Sequence, residues 1–344
     1  MKKILSFVLV ICMLLALISC SNTSQNQTAQ TSENSDNSPS YKLKFGHVIA
    51  ANAPEGIVWQ WFADEVSKRS NGVVEIEVYP AEELGSASVQ VESLKVGTID
   101  FFAQGTTVFA GPTGISNFNL SAIPFLFGDQ KLYQTAMSES GLNAEQSAAM
   151  EEIGLHIVNT DRNFFRGPRV LCSTKPIQSL DDMKGLRFRA YESETYIGSY
   201  TALGANPLVI AWGETFSALQ NSTVYACSSS IDQVISAKLY EVAKHITWTY
   251  EYNTDVILVA NSEAWNKLPA EYQELITTVA NEAGGQMSTK MQESVDSMIS
   301  TLKSEYGCTF YDIDTAQFRA KLSDYYNTWA QKGVIPESVF KYVF

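Results

Sequence analysis

The sequence predicts an α/β fold in two lobes, with a long helix running along both. Three observations carry this. From residue 41 onward, segments with apolar residues at every second position alternate with segments that repeat every three or four. The stretch 41–344 exceeds the roughly 250–300 residues that a single hydrophobic core usually serves. A helix-forming run from Pro269 to Gly307 would, at about 1.5 Å per residue, outreach a single lobe.

The elements follow in order. "YKLKF" and "VVEIEVYP" alternate apolar with charged residues and read as half-buried strands. Between them Ile57, Val58, Trp61, Phe62 and Val66 mark one face of a helix, with Asn52 as its N-cap and Gly72 as its stop. A helical "SASVQVESLKVG" leads into the strand "TIDFFAQ", and "LNAEQSAAMEEIG" into "LHIVNT". Short strands are expected at Arg169 to Ser173, Leu186 to Tyr191, Asn206 to Trp212, Val224 to Ser228 and Asp255 to Ala260. Helices are expected around Glu192 to Leu203 and Glu214 to Gln220. In the last third Pro269 suits a first helical position, and Gly284-Gly285 is a natural bend or break.

The start of the chain is a secretion signal. Lys2 and Lys3 precede an apolar run, Ile4 to Ile18, that is shorter than the roughly 20 residues of a membrane span. Its ending, Leu17-Ile18-Ser19-Cys20, resembles a bacterial lipobox, which implies acylation of Cys20; an ordinary signal with a chance cysteine is the other reading. Residues 21–40 lack aromatic and branched aliphatic side chains and read as a disordered tether. The expected division is therefore a signal at 1–19, the lipidated cysteine and tether at 20–40, and two lobes. Lobe I takes 41–166 plus 255–294, and lobe II takes 167–254 plus 295–344.

Composition excludes several functions. The chain carries 37 acidic against 24 basic residues, a net charge of −13, with none of the basic patches nucleic acid needs. Beyond Cys12 and Cys20, only Cys172, Cys227 and Cys308 remain, too few and too spread for a disulfide framework or a thiolate metal site. His47, His156 and His245 have no zinc-ligand spacing. No nucleophile elbow, HExxH or Walker loop occurs, so no cofactor and no catalytic grouping is expected.

The arginines of "LRFRAYESETY" remain. A strand here turns Arg187 and Arg189 away from the side occupied by Leu186, Phe188 and Ala190. Two readings fit them, a structural ion pair and an anion clamp, since a guanidinium suits bidentate carboxylate recognition.

The stretch Arg169 to Gln220 resembles the solute receptors of tripartite ATP-independent (TRAP) transporters, the DctP type. The likeness rests on Arg169 before Lys175-Pro176-Ile177, on Lys184-Gly185-Leu186 leading to Arg189, and on Ala202-Leu203-Gly204-Ala205-Asn206-Pro207. Trp212-x-Glu214 before Ala218-Leu219-Gln220 extends it, and Gly97-Thr98-Ile99-Asp100 and Pro124-Phe125-Leu126 carry it toward the N-terminus. The resemblance implies a two-lobed periplasmic-binding-protein-like fold of class II. It also implies an organic-acid ligand, no cofactor, and delivery to a permease of small and large membrane subunits driven by an ion gradient.

By that resemblance the carboxylate clamp falls on Arg189, a second arginine on Arg169, and pocket aromatics on Trp212 and Phe216. Tyr191 offers a further apolar face, Gln104 and Asn52 are candidate polar contacts from lobe I, and Asn253 lies near an expected hinge. One departure bears on the ligand. The family's Asp-Gly-Gln-Glu-Asn is Tyr225-Ala226-Cys227-Ser228-Ser229 here, so a carboxylate-holding asparagine is Ser229, with shorter reach. The ligand is thus not inherited from familiar dicarboxylate or sialic acid receptors. Competing readings are a sensor or scavenger uncoupled from a permease, an ABC-type binding protein, and a secreted enzyme on the same fold.

Overall fold

The computed structural model describes residues 41–343. The signal segment, Cys20 and the tether lie outside the described residues, so their expected roles are not addressed by it. Strands β1 (Tyr41–His47), β2 (Val74–Tyr79), β3 (Phe101–Gly105) and β4 (Leu155–Ile157) come first in the chain. They are followed by β5 (Arg169–Ser173), β6 (Arg187–Ala190), β7 (Asn206–Val209), β8 (Ala226–Ser230), β9 (His245–Trp248), β10 (Val256–Asn261) and β11 (Thr309–Asp312). A five-stranded sheet has the order β2-β1-β3-β10-β4, and a six-stranded sheet the order β11-β9-β5-β8-β6-β7. The chain thus leaves the first sheet after β4, returns to it with β10, and leaves it again for β11.

The helix Pro54–Arg69 buries Val58, Trp59, Phe62, Ala63 and Val66 against the first sheet. Its apolar stripe is rotated from the expected one: Ile57 is 49% exposed, and Trp59 is buried in its place. Trp59 meets Phe45 edge-on at 5.3 Å and stacks on Phe164 at 4.4 Å. Pro54 holds the first helical position, so Ala53 rather than Asn52 is the cap residue.

The expected long helix is Ala270–Ser304, 35 residues or roughly 52 Å long. Its first half packs Ile276, Val279, Ala280 and Ala283 under the first sheet, and its second half packs Val295, Ile299 and Leu302 under the second. It runs unbroken through Gly284-Gly285. Gly284 serves a close approach instead, because a Cβ there would sit 1.9 Å from Asn163 Oδ1 and 3.0 Å from the Phe164 amide nitrogen.

β1 to β4 and β10 lie in the first sheet, and β5 to β9 and β11 in the second, but side-chain packing does not follow sheet membership throughout. Ile123, Leu126, Tyr133 and Met137 pack in one cluster with Phe188, Tyr200 and Trp329, on the side of the second sheet. Two segments cross between the sheets, after β4 and before β10, and they run side by side: Phe165 bridges Asp255, Arg166 N donates to the Thr254 carbonyl, and Val256 N to that of Phe164. This antiparallel ribbon carries four buried charged side chains, Arg162, Arg166, Glu251 and Asp255.

Candidate functional site

Strands β1 and β3 run parallel, as do β6, β7 and β8 in part, and their carboxyl ends with the following loops face a common cavity of about 240 Å³. A ligand site at the carboxyl ends of parallel strands is the general expectation for open α/β sheets. From the first sheet come Val48 and Ile49 after β1, Gln104 and Gly105 at the end of β3, and Thr106 and Thr107 beyond it. From the second come Arg169, Arg189, Tyr191, Trp212 and Ser228, and the ribbon adds Arg166, Tyr252, Thr254 and Asp255.

Arg189 is held by alternation along β6. Phe188 and Ala190 enter the core, while Arg189 stands opposite Cys227 on the neighbouring strand. Its side chain is buried, its Nε donates to the Ile210 carbonyl at 2.9 Å, and the Trp212 and Tyr191 rings lie 5.6 and 5.9 Å from its guanidinium carbon. Among the described residues no carboxylate lies within ion-pair distance of it. Burial pushes its pKa below the ordinary value, as for a cation deprived of water, and Glu82 at the cavity rim feels its charge only from beyond ion-pair distance.

The neighbouring arginines differ. Arg169 faces Glu251 at 3.5 Å, donates to Ser228 at 2.5 Å, and lies 4.6 Å over the Tyr252 ring. Burial opposes its charge too, but Tyr252 and Glu251 outweigh that and its pKa is raised. Glu251 also accepts from Ser228 and from Tyr200. Arg166 makes a forked pair with Glu55 at 2.6 and 2.9 Å and donates to Gln104 at 2.7 Å. Arg162 pairs with Asp255, which also accepts from Thr106 at 2.7 Å.

The sequence expectations divide. Arg189, Arg169, Trp212, Tyr191 and Gln104 line the cavity together. Asn52, Phe216, Ser229 and Asn253 do not. Asn52 is exposed in the turn before the first helix. Phe216 packs half-buried against the cluster beneath the second sheet. Ser229 is buried with no hydrogen-bond partner for its hydroxyl among the described residues, and alternation along β8 gives the lining position to Ser228. Asn253 stands half-buried between Tyr252 and Thr254, which are the lining residues of that segment. Arg187 donates to the Tyr225 hydroxyl at 2.5 Å, lies over its ring and is half-buried.

Glu82, Arg166, Gln233, Tyr252, Thr254 and Asp255 were not expected. No local signal identifies them, since Arg166 and Glu55 are 111 positions apart and Arg162 and Asp255 are 93. At the cavity rim Gly213 N donates to Glu82 Oε2 at 3.2 Å, joining the loop after β7 to the turn after β2. A Cβ on Gly213 would sit 2.5 Å from that oxygen. No group of three or more His, Cys, Asp or Glu side chains able to hold a metal occurs among the described residues.

Fold and cavity together define a two-lobed solute receptor. The family model "bacterial extracellular solute-binding protein, family 7", DctP, matches residues 45–332, and the chain belongs to that family. It is 27% identical over 282 residues to the 2,3-diketo-L-gulonate-binding periplasmic protein YiaO of Escherichia coli, covering 82% of this chain and 84% of that one. It is also 27% identical to the C4-dicarboxylate-binding periplasmic protein DctP of Rhodobacter capsulatus, covering 81% and 82%. Among solved structures, a TRAP periplasmic solute-binding protein from Ochrobacterium anthropi with bound L-fuconate is similar at a TM-score of 0.79 and 25% identity, covering 88% of this chain and 99% of that one. One from Polaromonas sp. JS666 bound to D-erythronate shares the fold at a TM-score of 0.80 and 24% identity, covering 88% and 98%.

Proposed function

We propose that the protein is an extracytoplasmic receptor that captures an organic acid by its carboxylate at Arg189. It would then deliver the acid to the small and large membrane subunits of a TRAP permease, while Cys20 anchors it to the membrane by lipid. The observation that carries this reading is the buried Arg189 guanidinium, which lines the cavity and has no carboxylate partner among the described residues. A carboxylate in the cavity supplies the missing charge and can accept two parallel hydrogen bonds from one guanidinium. Trp212 and Tyr191 beside it offer apolar faces to the body of the solute. Relatives and structural neighbours named for sugar-acid and dicarboxylate binding support the ligand class. The family supports the permease coupling.

Mass spectrometry of the small molecule carried through native purification, followed by calorimetry with that compound, tests the reading. An acid should be found, and Arg189→Ala should weaken its binding by about 30-fold to several thousand-fold, as expected when one partner of a buried charge pair is removed. A neutral compound, or an acid bound equally by the variant, would refute it. For the anchor, Cys20→Ala should move the protein from the membrane fraction to the soluble one with binding unchanged; retention on membranes in high salt would remove the lipid reading.

A further inference from the structure

We infer that the cleft selects a solute with a single carboxylate and otherwise uncharged polar groups, and discriminates against dicarboxylates of the same skeleton. This rests on the reading of Arg189 as the partner of the solute carboxylate, and it comes from the balance of charge buried around the cavity.

Arg162, Arg166, Arg169 and Arg189 all have buried side chains. Asp255, Glu55 and Glu251, each about 1% exposed or less, neutralise the first three within the protein. One solute carboxylate therefore completes the set, and a second finds no free cation on the lining among the described residues. Arg166 reaches the cavity, but Glu55 already holds its fork. Arg169 also reaches it, held between Glu251 and Ser228.

The remaining charged groups on the lining are acids. Asp255 is already paired with Arg162, while Glu82 and Glu192 come from the turn after β2 and the loop after β6. A second solute carboxylate would be buried unpaired, facing like charge, and both arrangements are costly. The last buried acid, Asp232, lies off the lining and is held toward its neutral form by burial. What the cavity offers besides Arg189 is neutral: Gln233 Nε2 and Thr254 Oγ1 are buried on its wall with no hydrogen-bond partner among the described residues. An amide N–H and a hydroxyl suit hydroxyl or carbonyl oxygens of the solute. The chemical class is a hydroxylated monocarboxylic acid.

Matched pairs of acids that differ in one carboxylate test this by calorimetry at neutral pH: D-galacturonate with galactarate, D-gluconate with glucarate, and D-erythronate with tartrate. Within any pair that binds, the monoacid should bind at least about tenfold more tightly. Glu251→Gln, which frees Arg169 of its counter-charge with little change of shape, should narrow that ratio by about tenfold or more. Glu55→Gln does the same through Arg166, should the first variant not fold. A diacid bound as tightly as its monoacid, with Arg189→Ala abolishing both, would overturn the single-charge inference while leaving Arg189 as the carboxylate partner. A ratio unchanged in the refolded Gln variants would likewise overturn it. Binding of the acids unaffected by Arg189→Ala, or no binding of any of the six, would overturn that partner assignment and this inference together.

Discussion

The crossing ribbon with the start of β5, and the strand β6, treat buried positive charge in opposite ways. Arg162 and Arg166 on the crossing ribbon, and Arg169 where it enters β5, each face a carboxylate that is itself buried. On β6, Arg189 is as deeply buried and is given a backbone carbonyl, two aromatic faces and, among the described residues, no acid within ion-pair distance. The side-chain chemistry is the same, so the difference lies in what the neighbouring chain supplies. Along the ribbon the charges fix the two crossing segments to one another and to the first helix. On β6 the charge is held in reserve, at the cost of desolvation in the free protein, for a partner that arrives from outside.

This contrast can be broken at several points. The largest effect is expected on the ribbon, where Arg162→Ala strands Asp255 in the interior and should cost about 3–5 kcal/mol of folding stability by denaturant unfolding. A loss below about 1 kcal/mol would mean that the ribbon does not depend on its ion pairs. Next comes the pH response of His47, which lies beside Glu55 and Arg166. Burial, helped by Arg166 and opposed by Glu55, pushes its pKa down from the ordinary 6.5 to about 4. The folded protein thus keeps the ring neutral where the unfolded chain protonates it. That contribution is complete above pH 6.5 and is lost as pH falls toward about 4, at up to about 1.4 kcal/mol per pH unit and about 3 kcal/mol in all. His47→Gln should flatten stability in that window relative to wild type, and an identical slope would contradict the buried-neutral assignment.

A smaller effect is expected at the rim. Gly213→Ala displaces the Glu82 carboxylate from the Gly213 amide and should weaken solute binding by about 1 kcal/mol, the worth of one hydrogen bond, with little change in melting temperature. The smallest is on the long helix, where Gly285→Ala enters open space and should stabilise by up to about 1 kcal/mol. The neighbouring Gly284→Ala meets the Phe164 backbone and should destabilise. Equal effects at the two glycines would mean that the ribbon does not press on the helix as closely as the structure has it.

Much of the fold was legible because period and length are local. Arg169 to Ser173 was read with its observed bounds, and the long helix nearly so. His245–Trp248 and Thr309–Asp312, four residues each, were missed. The helix Pro54–Arg69 was found, but its face was misjudged, since Ile57 and Trp59 are both apolar and only the position of Phe45 and Phe164 decides between them. In the site, Arg189 stood out through alternation and resemblance. Its isolation did not, because that depends on which distant acids find Arg162, Arg166 and Arg169. Ser229 was chosen over Ser228 by alignment to a motif, and a one-residue step along a strand exchanges the faces.

The central claim is that Arg189 is uncompensated in the free protein and compensated by the solute. Denaturant unfolding of wild type, Arg189→Ala and Arg162→Ala, each with and without the acid found on native purification, tests it most directly. Without the acid, Arg189→Ala should be as stable as wild type within about 0.5 kcal/mol, or more stable, because it removes an unpaired buried charge. With the acid, the stabilisation that linkage gives the wild type should vanish in this variant. If Arg189→Ala instead destabilises the free protein as much as Arg162→Ala and keeps its stabilisation by the acid, Arg189 belongs to the framework and the account of the cleft is wrong.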